Sequence, residues 1–299
     1  MTTISDSNLK ILEDSLLNKS GDVLLHSRFR ALFTLKSLKT EEAVRVISAG
    51  FQDPSALLKH ELAYCLGQMK KTSALPALES VLKNTSEDPM VRHEAAEAMG
   101  AISASASLPI LKQYLADPNR SVRETCEIAI AKIEWDNSEE GKQHAESLSD
   151  TTIPLYTSID PAPPSSGLLA GQMLDTRLSL FERYRAMFAL RNIGTPAAVD
   201  ALAAGFSDDS TLFKHEIAFV LQNGEESEMV RHEAAEALGG IGTPEVLPHL
   251  KEWMSREDAP LVVRQSCEVA IDMWEHENSD EFQYANGLGA TTPVVSIGA

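Results

Sequence analysis

Apolar residues recur along the chain at three- and four-residue intervals, in blocks that short polar breaks separate. This spacing places one apolar stripe on a helix surface and therefore predicts amphipathic helices. The blocks come in pairs between Asn8 and Trp135, and Ser27, His60 and His93 mark successive second helices at intervals of 33 residues. Two helices per unit and a period in the thirties are typical of an α-solenoid. The helices predicted in this half cover residues 27–35, 41–49, 55–69, 73–82, 89–102, 108–115 and 121–135.

The second half of the chain repeats the first. The stretch MVRHEAAEAMG at 90–100 returns at 229–239 as MVRHEAAEALG, with one substitution, and His215 matches His60 at an offset of 155. The chain is therefore predicted to be all-α, an α-solenoid of HEAT-like helical hairpins in two pseudo-symmetric lobes. The predicted parts are an N-terminal lobe of four hairpins (1–136), a flexible linker rich in Pro and Ser (137–167), a C-terminal lobe (168–279) and a tail (280–299).

The register of the repeat changes inside the second lobe. His232 follows His93 by 139 residues rather than 155, so this lobe is 16 residues shorter than the first. The loss falls after Leu221, where the first lobe has residues 67–83 and the second has only Gln222. We expect one outer helix to be missing there, which would uncover the backs of the inner helices on either side.

Composition narrows the class of protein. With 299 residues, of which 43% are hydrophobic, the chain can build a core, and we expect no membrane span and no signal peptide. Its three cysteines form no CxxC pair, which predicts buried thiols in a reducing compartment, so the expected location is the cytoplasm, with the nucleus as a second compartment. The net charge of −18 argues against nucleic acid as a partner and suits a cationic one, although an acidic surface can also serve solubility alone.

Four His-Glu dipeptides carry the candidate chemistry, two in each lobe at matching places. A single His-Glu step on a helix is most often a solvent-facing pair, but near a helix start both side chains can turn toward one metal ion. Imidazoles and carboxylates together suit iron or manganese, and the symmetry predicts a dinuclear site. No HExxH motif is present, which makes zinc hydrolase chemistry less favoured. The four steps are His60-Glu61, His93-Glu94, His215-Glu216 and His232-Glu233.

Glu97 and Glu236 follow a candidate histidine by four residues and so share its helix face. Two interpretations remain open for them. They can accept hydrogen bonds that orient the imidazoles, or they can form ion pairs with Arg92 and Arg231.

Two lobes of HEAT-like repeats, each with His-Glu steps in the forms KHE and VRHEAAEA, resemble the deoxyhypusine hydroxylase family. The resemblance covers nearly the whole chain except the linker and the tail. It implies a non-haem di-iron monooxygenase that uses O2 to hydroxylate the deoxyhypusine side chain of the hypusine-containing translation factor, a basic protein substrate. It also implies two Fe(II) per chain, one held by His60, His93 and Glu94 and the other by His215, His232 and Glu233. Glu61 and Glu216 would then be the catalytic residues that bind the substrate amine.

Two other classes of protein remain as alternatives. Most helical-repeat proteins bind partners without catalysis, so a non-catalytic interaction scaffold is the first alternative. A repeat protein related to bilin lyases is the second. Neither needs His and Glu paired at equal places in both lobes. Because His232 and Glu233 lie on a helix that has lost its support, we also expect the second metal site to bind iron more weakly than the first.

Overall fold

The computed structural model describes residues 4–148, 166–193, 195–217, 227–279 and Gly287. Within these residues every regular element is an α-helix or a short 3-10 turn, which confirms the all-α solenoid. The α-helices are α1 (Asp6–Leu16), α2 (Leu25–Leu38), α3 (Glu41–Ala49), α4 (Ala56–Met69), α5 (Leu75–Lys83), α6 (Pro89–Ile102), α7 (Leu108–Gln113), α8 (Arg120–Asp136), α9 (Glu139–Leu148), α10 (Ser166–Leu174), α11 (Leu180–Ile193), α12 (Pro196–Ala204), α13 (Thr211–Ile217), α14 (Glu228–Ile241), α15 (Val246–Ser255) and α16 (Leu261–Glu277).

The helices form an inner and an outer layer. In the N-terminal half the inner helices α2, α4, α6 and α8 stand side by side, and the outer helices α1, α3, α5 and α7 cover their backs. In the C-terminal half α11, α13, α14 and α16 form the inner layer. Leu, Val, Ile and Ala side chains fill the space between the layers, as the apolar stripes predict.

A basic residue four places after the helix cap ties several inner helices to the outer layer. Arg92 donates from Nε to the carbonyl oxygen of Leu82 at 3.1 Å and pairs with the buried carboxylate of Asp117 at 2.5 Å. Arg28 and Arg183 make equivalent bonds, at 2.9 and 2.8 Å, to the carbonyl ends of α1 and α10. Each guanidinium thereby satisfies carbonyl groups that a helix end leaves without an intrahelical partner. This explains the arginine of the first VRHE sequence, Arg92.

Two symmetric seams join the lobes. On one side Ser55 bonds Gln265 at 3.2 Å, and on the other Ser210 bonds Glu124 at 2.6 Å. The first seam is reinforced where Arg30 on α2 makes a bidentate contact with Asp272 on α16, at 2.9 and 2.8 Å. Helix α16, at the end of the second lobe, therefore packs against α2 in the first lobe. The two lobes enclose a common interior.

The predicted linker differs from the structure at its start. Residues 139–148 of the segment expected to be flexible form α9 instead. Ser138 accepts a hydrogen bond from the backbone of Gly141 at 3.0 Å, and Glu139 and Glu140 occupy the first helical turn, where carboxylates favour helix formation. The rest of the linker up to residue 165 lies outside the described residues, as does the shortened segment after Leu221, within 218–226.

Two further expectations concern the C-terminal tail, residues 280–299, and the presence of membrane-spanning helices. Of the tail, the structure describes Gly287, whose backbone N–H donates to Thr34 Oγ1 at 3.0 Å. An added Cβ at Gly287 would lie 2.7 Å from the Cα of Ala31, so only glycine fits against α2 at this point. Among the described helices, none has both the length and the apolar character that crossing a bilayer requires.

Candidate metal centre

All four candidate histidines occupy the fifth residue of an inner helix. The caps that set these helix starts are Ser55, Asp88, Ser210 and Ser227, whose side chains accept hydrogen bonds from backbone N–H groups of the first turn. Capping thus fixes where each helix begins and, with it, the position of each imidazole along the helix axis. The histidines are His60 on α4, His93 on α6, His215 on α13 and His232 on α14.

The four imidazoles converge in the interior between the lobes. Each has an exposed fraction of 6% or less. Within a lobe the ring centroids of His60 and His93 lie 5.6 Å apart, and those of His215 and His232 lie 5.4 Å apart. Across the lobes His60 is 4.9 Å from His232, and His93 is 5.2 Å from His215. The rings therefore form one cluster rather than two separate pairs.

The carboxylates repeat the same pattern in both lobes. Glu94 lies 3.2 Å from Nε2 of His60, and Glu233 lies 3.2 Å from Nε2 of His215. The two Nδ1 atoms face the adjacent carboxylates, Glu61 at 3.3 Å and Glu216 at 3.4 Å. Glu94 and Glu233 thus face the cluster. The two carboxylates differ in exposure: the side chain of Glu94 is 4% exposed, and that of Glu233 is 30% exposed.

Several ring nitrogens of the cluster are buried without a hydrogen-bond partner among the described residues. Both nitrogens of His93 and of His232 are in this state, and the Nε2 atoms of His60 and His215 also lack a hydrogen bond of acceptable geometry. A buried polar atom without a hydrogen-bond partner normally lowers the stability of the fold. Its presence at several ring nitrogens here indicates that these atoms bind a ligand. The donor set therefore fits a transition metal that accepts nitrogen and oxygen ligands.

Two groups of potential ligand atoms meet the distances that a metal ion needs, with all donors within 4.8 Å of one another. One comprises His60, His93 and Glu94, which is the set implied for the first iron. The other comprises His215, His232 and Glu233, the set implied for the second, with His60 in addition. The structure thus brings together all six predicted ligands and indicates that His60 is near both positions.

Burial and neighbouring carboxylates divide the histidines into two classes. Burial disfavours the charged form of His60, but the adjacent carboxylates outweigh it and raise its pKa well above the usual value. The same balance raises the pKa of His215 to about 10. Burial prevails at His93 and His232 and lowers each pKa well below its usual value. Metal binding is therefore coupled to proton release more strongly at His60 and His215 than at His93 and His232.

A cavity of about 420 Å³ lies above the cluster, a volume within the usual range of ligand sites. Its walls include the predicted residues Glu61 and Glu216 together with Glu97 and Glu236. Burial and nearby carboxylates raise the pKa of Glu97 and of Glu236 well above the usual value. Glu236 lies 3.9 Å from Nδ1 of His232, which is too far for a hydrogen bond that would orient the ring. Arg92, one of the two arginines considered as ion-pair partners of these glutamates, pairs with Asp117.

The aromatic and basic side chains of the cavity were not among the predicted site residues. Phe33 and Lys36 on α2 line it, as do Phe188 and Arg191 on α11, and Tyr64 on α4. Phe33 and Phe188, like Lys36 and Arg191, are related by the offset of 155 that relates His60 to His215. That repeated spacing was the available signal.

Comparison with known proteins supports the same family. Models of HEAT repeats match residues 44–131 and 219–272, and a model of the PBS lyase HEAT-like repeat matches residues 182–208. A deoxyhypusine hydroxylase of Lentinula edodes is 65% identical over 329 residues, covering 99% of this chain and all of that protein. One from Danio rerio is 48% identical over 304 residues, covering 95% of this chain and 97% of its own length.

A solved structure agrees with the fold. The structure of human deoxyhypusine hydroxylase in complex with glycerol has a TM-score of 0.79 and 45% identity, and the match covers 90% of this chain and 96% of the human chain. On identity, coverage and fold together, this chain belongs to the deoxyhypusine hydroxylase family.

Proposed function

We propose that this protein is a monooxygenase that hydroxylates the deoxyhypusine side chain of the hypusine-containing translation factor. The observation that carries the proposal is the cluster of four buried imidazoles at the floor of a carboxylate-lined cavity, with ring nitrogens that have no hydrogen-bond partner in the described part of the chain. A non-catalytic scaffold has no use for such a cluster. We expect the reaction to take place in the cytoplasm and the nucleus.

The two halves of the cluster would each hold one Fe(II). His60, His93 and Glu94 form one set of two imidazoles and one carboxylate, and the set of His215, His232 and Glu233 forms the other. Two His and one carboxylate with open positions are the ligand set of non-haem iron oxygenases. The chemistry that the metal pair supplies when bound is the activation of O2.

Glu61 and Glu216 would bind the substrate. Each is adjacent in sequence to a ligand histidine, lines the cavity and lies outside the two ligand sets. The deoxyhypusine side chain carries two amines, and charge-assisted hydrogen bonds to carboxylates would hold these amines and fix the carbon between them near the metals. The side chains of Glu61 and Glu216 are largely buried, with exposed fractions of 6% and 14%.

The roles are tested by separating metal content from activity. We expect His60→Ala to lose bound iron and activity together, because it removes a ligand that lies near both metal positions. We expect Glu61→Gln to keep iron but to lose kcat/KM on a deoxyhypusine-bearing peptide by about 100-fold or more, because a misplaced substrate reacts poorly. Iron is measured by elemental analysis, and the product by the mass of one added oxygen atom.

Matched controls are available on the surface helix α15. His249 and Glu252 are exposed there, and their replacement by alanine should leave iron content and activity unchanged. Equal loss of iron in His60→Ala and Glu61→Gln would show that the two roles have been assigned wrongly. Absence of hydroxylation by the iron-loaded parent protein, with a reductant and O2 supplied, would refute the function itself.

A further inference from the structure

Two basic side chains lie where the cavity meets solvent. Lys36 is in the last turn of α2 and Arg191 is in the last turn of α11, and both line the cavity. Lys36 is half-buried and Arg191 is exposed, whereas His60 and His215 are buried. The cavity therefore opens on the side of Lys36 and Arg191. We call this pair the rim.

Aromatic rings support both rim residues. The Nζ atom of Lys36 lies 4.7 Å from the centroid of Phe33 and 5.6 Å from that of Tyr64. The guanidinium carbon of Arg191 lies 5.0 Å from the centroid of Phe188. A cation over an aromatic face at these distances is attracted by the ring, so both charges have a defined place beside the opening.

The two basic side chains lie on helices other than those that carry the histidines. Lys36 is on α2 and Arg191 is on α11, whereas the histidines are on α4, α6, α13 and α14. The rings of Phe33, Tyr64 and Phe188 line the same cavity beside the two cations. The cavity therefore presents carboxylates and imidazoles at its buried floor and cations where it opens to solvent.

The floor and the rim have opposite hydrogen-bonding character. The carboxylate oxygens of Glu61 and Glu216 accept hydrogen bonds, whereas the ammonium of Lys36 and the guanidinium of Arg191 only donate them. A long amine side chain on a polypeptide has the complementary order, since its ammonium groups are donors at the tip and main-chain carbonyl oxygens are acceptors at the root. A free diamine has donors at both ends and would place one of them against the cations of the rim.

We propose that Lys36 and Arg191 are specificity-determining residues that bind main-chain carbonyl oxygens of the carrier polypeptide and so select a chain-attached amine over a free diamine. The inference rests on the proposed function, because it takes the substrate to be an amine side chain on a protein. It adds a second element of recognition at the solvent side of the cavity, made of residues outside both ligand sets.

The test compares Lys36→Met and Arg191→Met with the parent protein, each loaded with iron. Methionine keeps an apolar stem over the aromatic ring and removes the charge. We expect each change to raise KM for a deoxyhypusine-bearing peptide by about 10-fold, as loss of a charged hydrogen bond predicts, with kcat within about twofold. We expect the inhibition constant of 1,4-diaminobutane to stay the same or to fall, because a like charge has been removed.

Two controls separate recognition from damage to the cavity. Lys36→Arg should keep the KM of the parent protein, because the guanidinium is also a cationic donor. Lys251→Met on the exposed face of α15 should leave KM and the inhibition constant unchanged. An unchanged KM in both rim variants would overturn the proposal. So would an inhibition constant of the diamine that rises by the same factor as KM.

Equilibrium binding makes this test independent of turnover. The affinities of a deoxyhypusine-bearing peptide and of 1,4-diaminobutane are measured by calorimetry. The affinity for the peptide divided by the affinity for the diamine should fall about 10-fold in each rim variant. Failure of the parent protein to hydroxylate the peptide would count against the proposed function. An unchanged affinity ratio would count against the rim.

Discussion

A basic residue stands directly before each of the four histidines, and its surroundings differ between the lobes. Arg92 is 3% exposed, and its charge is balanced by Asp117 and by the carbonyl oxygen of Leu82. Arg231, the equivalent in the second lobe, stacks over Trp253 at 4.4 Å, and its Nη2 atom has no hydrogen-bond partner in the described part of the chain. Removing one partner of a buried ion pair leaves the other charge uncompensated, so Asp117 should be important for stability.

We expect Asp117→Asn to lower the free energy of unfolding by about 3–5 kcal/mol at neutral pH. Burial raises the pKa of the Asp117 carboxyl, but hydrogen bonds from Arg92 and the backbone of Asn119 outweigh it and hold the pKa below the ordinary 3.8. The pair therefore stabilises the fold fully above about pH 4, and its contribution disappears as the pH falls through the lower folded pKa. Urea unfolding of the iron-free protein between pH 3 and pH 7 measures both effects.

The second lobe offers a matched control for this substitution. Asp258 is the counterpart of Asp117, but it is 71% exposed and pairs with the exposed Arg256. Asp258→Asn should therefore change the free energy of unfolding far less than Asp117→Asn does, because solvent screens an exposed pair. Equal destabilisation by the two substitutions would contradict the argument from burial.

At the scale of the helices, most boundaries could be predicted because their signals are local. The predicted ranges 41–49 and 89–102 coincide with α3 and α6, since Thr40 and Asp88 are recognisable caps. Helix α9 was missed, because the Pro-rich composition that follows it dominated the interpretation of 137–167. The rim was missed, because the 155-residue offset of Lys36 and Arg191 shows only that they are equivalent, and the packing of both lobes brings them to one cavity.

The shortened repeat should make the two metal positions unequal. Arg92 is anchored on α5, but the segment that would supply the matching helix for Arg231 is the one that the second lobe lacks. Loss of a group that supports metal ligands typically weakens metal binding 10- to 100-fold. We therefore expect an anaerobic Fe(II) titration to show one site about 10-fold or more weaker than the other.

A rescue variant sharpens this prediction. Insertion of residues 67–83 between Leu221 and Asn223, in place of Gln222, should make the two affinities approach each other. Two equally tight irons in the parent protein would show that the shortening does not disturb His232 and Glu233.

At the scale of the whole molecule, the metal cluster depends on both seams. The rings of His60 and His232 come from opposite lobes yet lie 4.9 Å apart, so any movement of one lobe changes both ligand sets. The bidentate pair of Arg30 with Asp272 is a charged contact of the first seam, with two hydrogen bonds. The seams therefore help to set the geometry of the site.

We expect Asp272→Asn to weaken both iron sites together and to lower the free energy of unfolding by about 1.5–3 kcal/mol, the usual value of a charged hydrogen bond. The pair is largely buried, with side chains 21% and 12% exposed, so solvent screens it only in part. Fe(II) titration and urea unfolding measure the two effects, with Asp258→Asn as the exposed control. Weakening of one site alone would argue against coupling through the seam.

The equal placement of the ligands, at the fifth residue of two inner helices in each lobe, bears on the origin of the protein. Each lobe supplies half of every cross-lobe contact, so a chain with one lobe could have completed the same site by pairing with an identical copy about a twofold axis. On this view the metal cage arose at the interface of an ancestral homodimer, and fusion of two genes then allowed the halves to diverge. The 16-residue shortening of one half is a change that such a symmetric ancestor could not have confined to a single side.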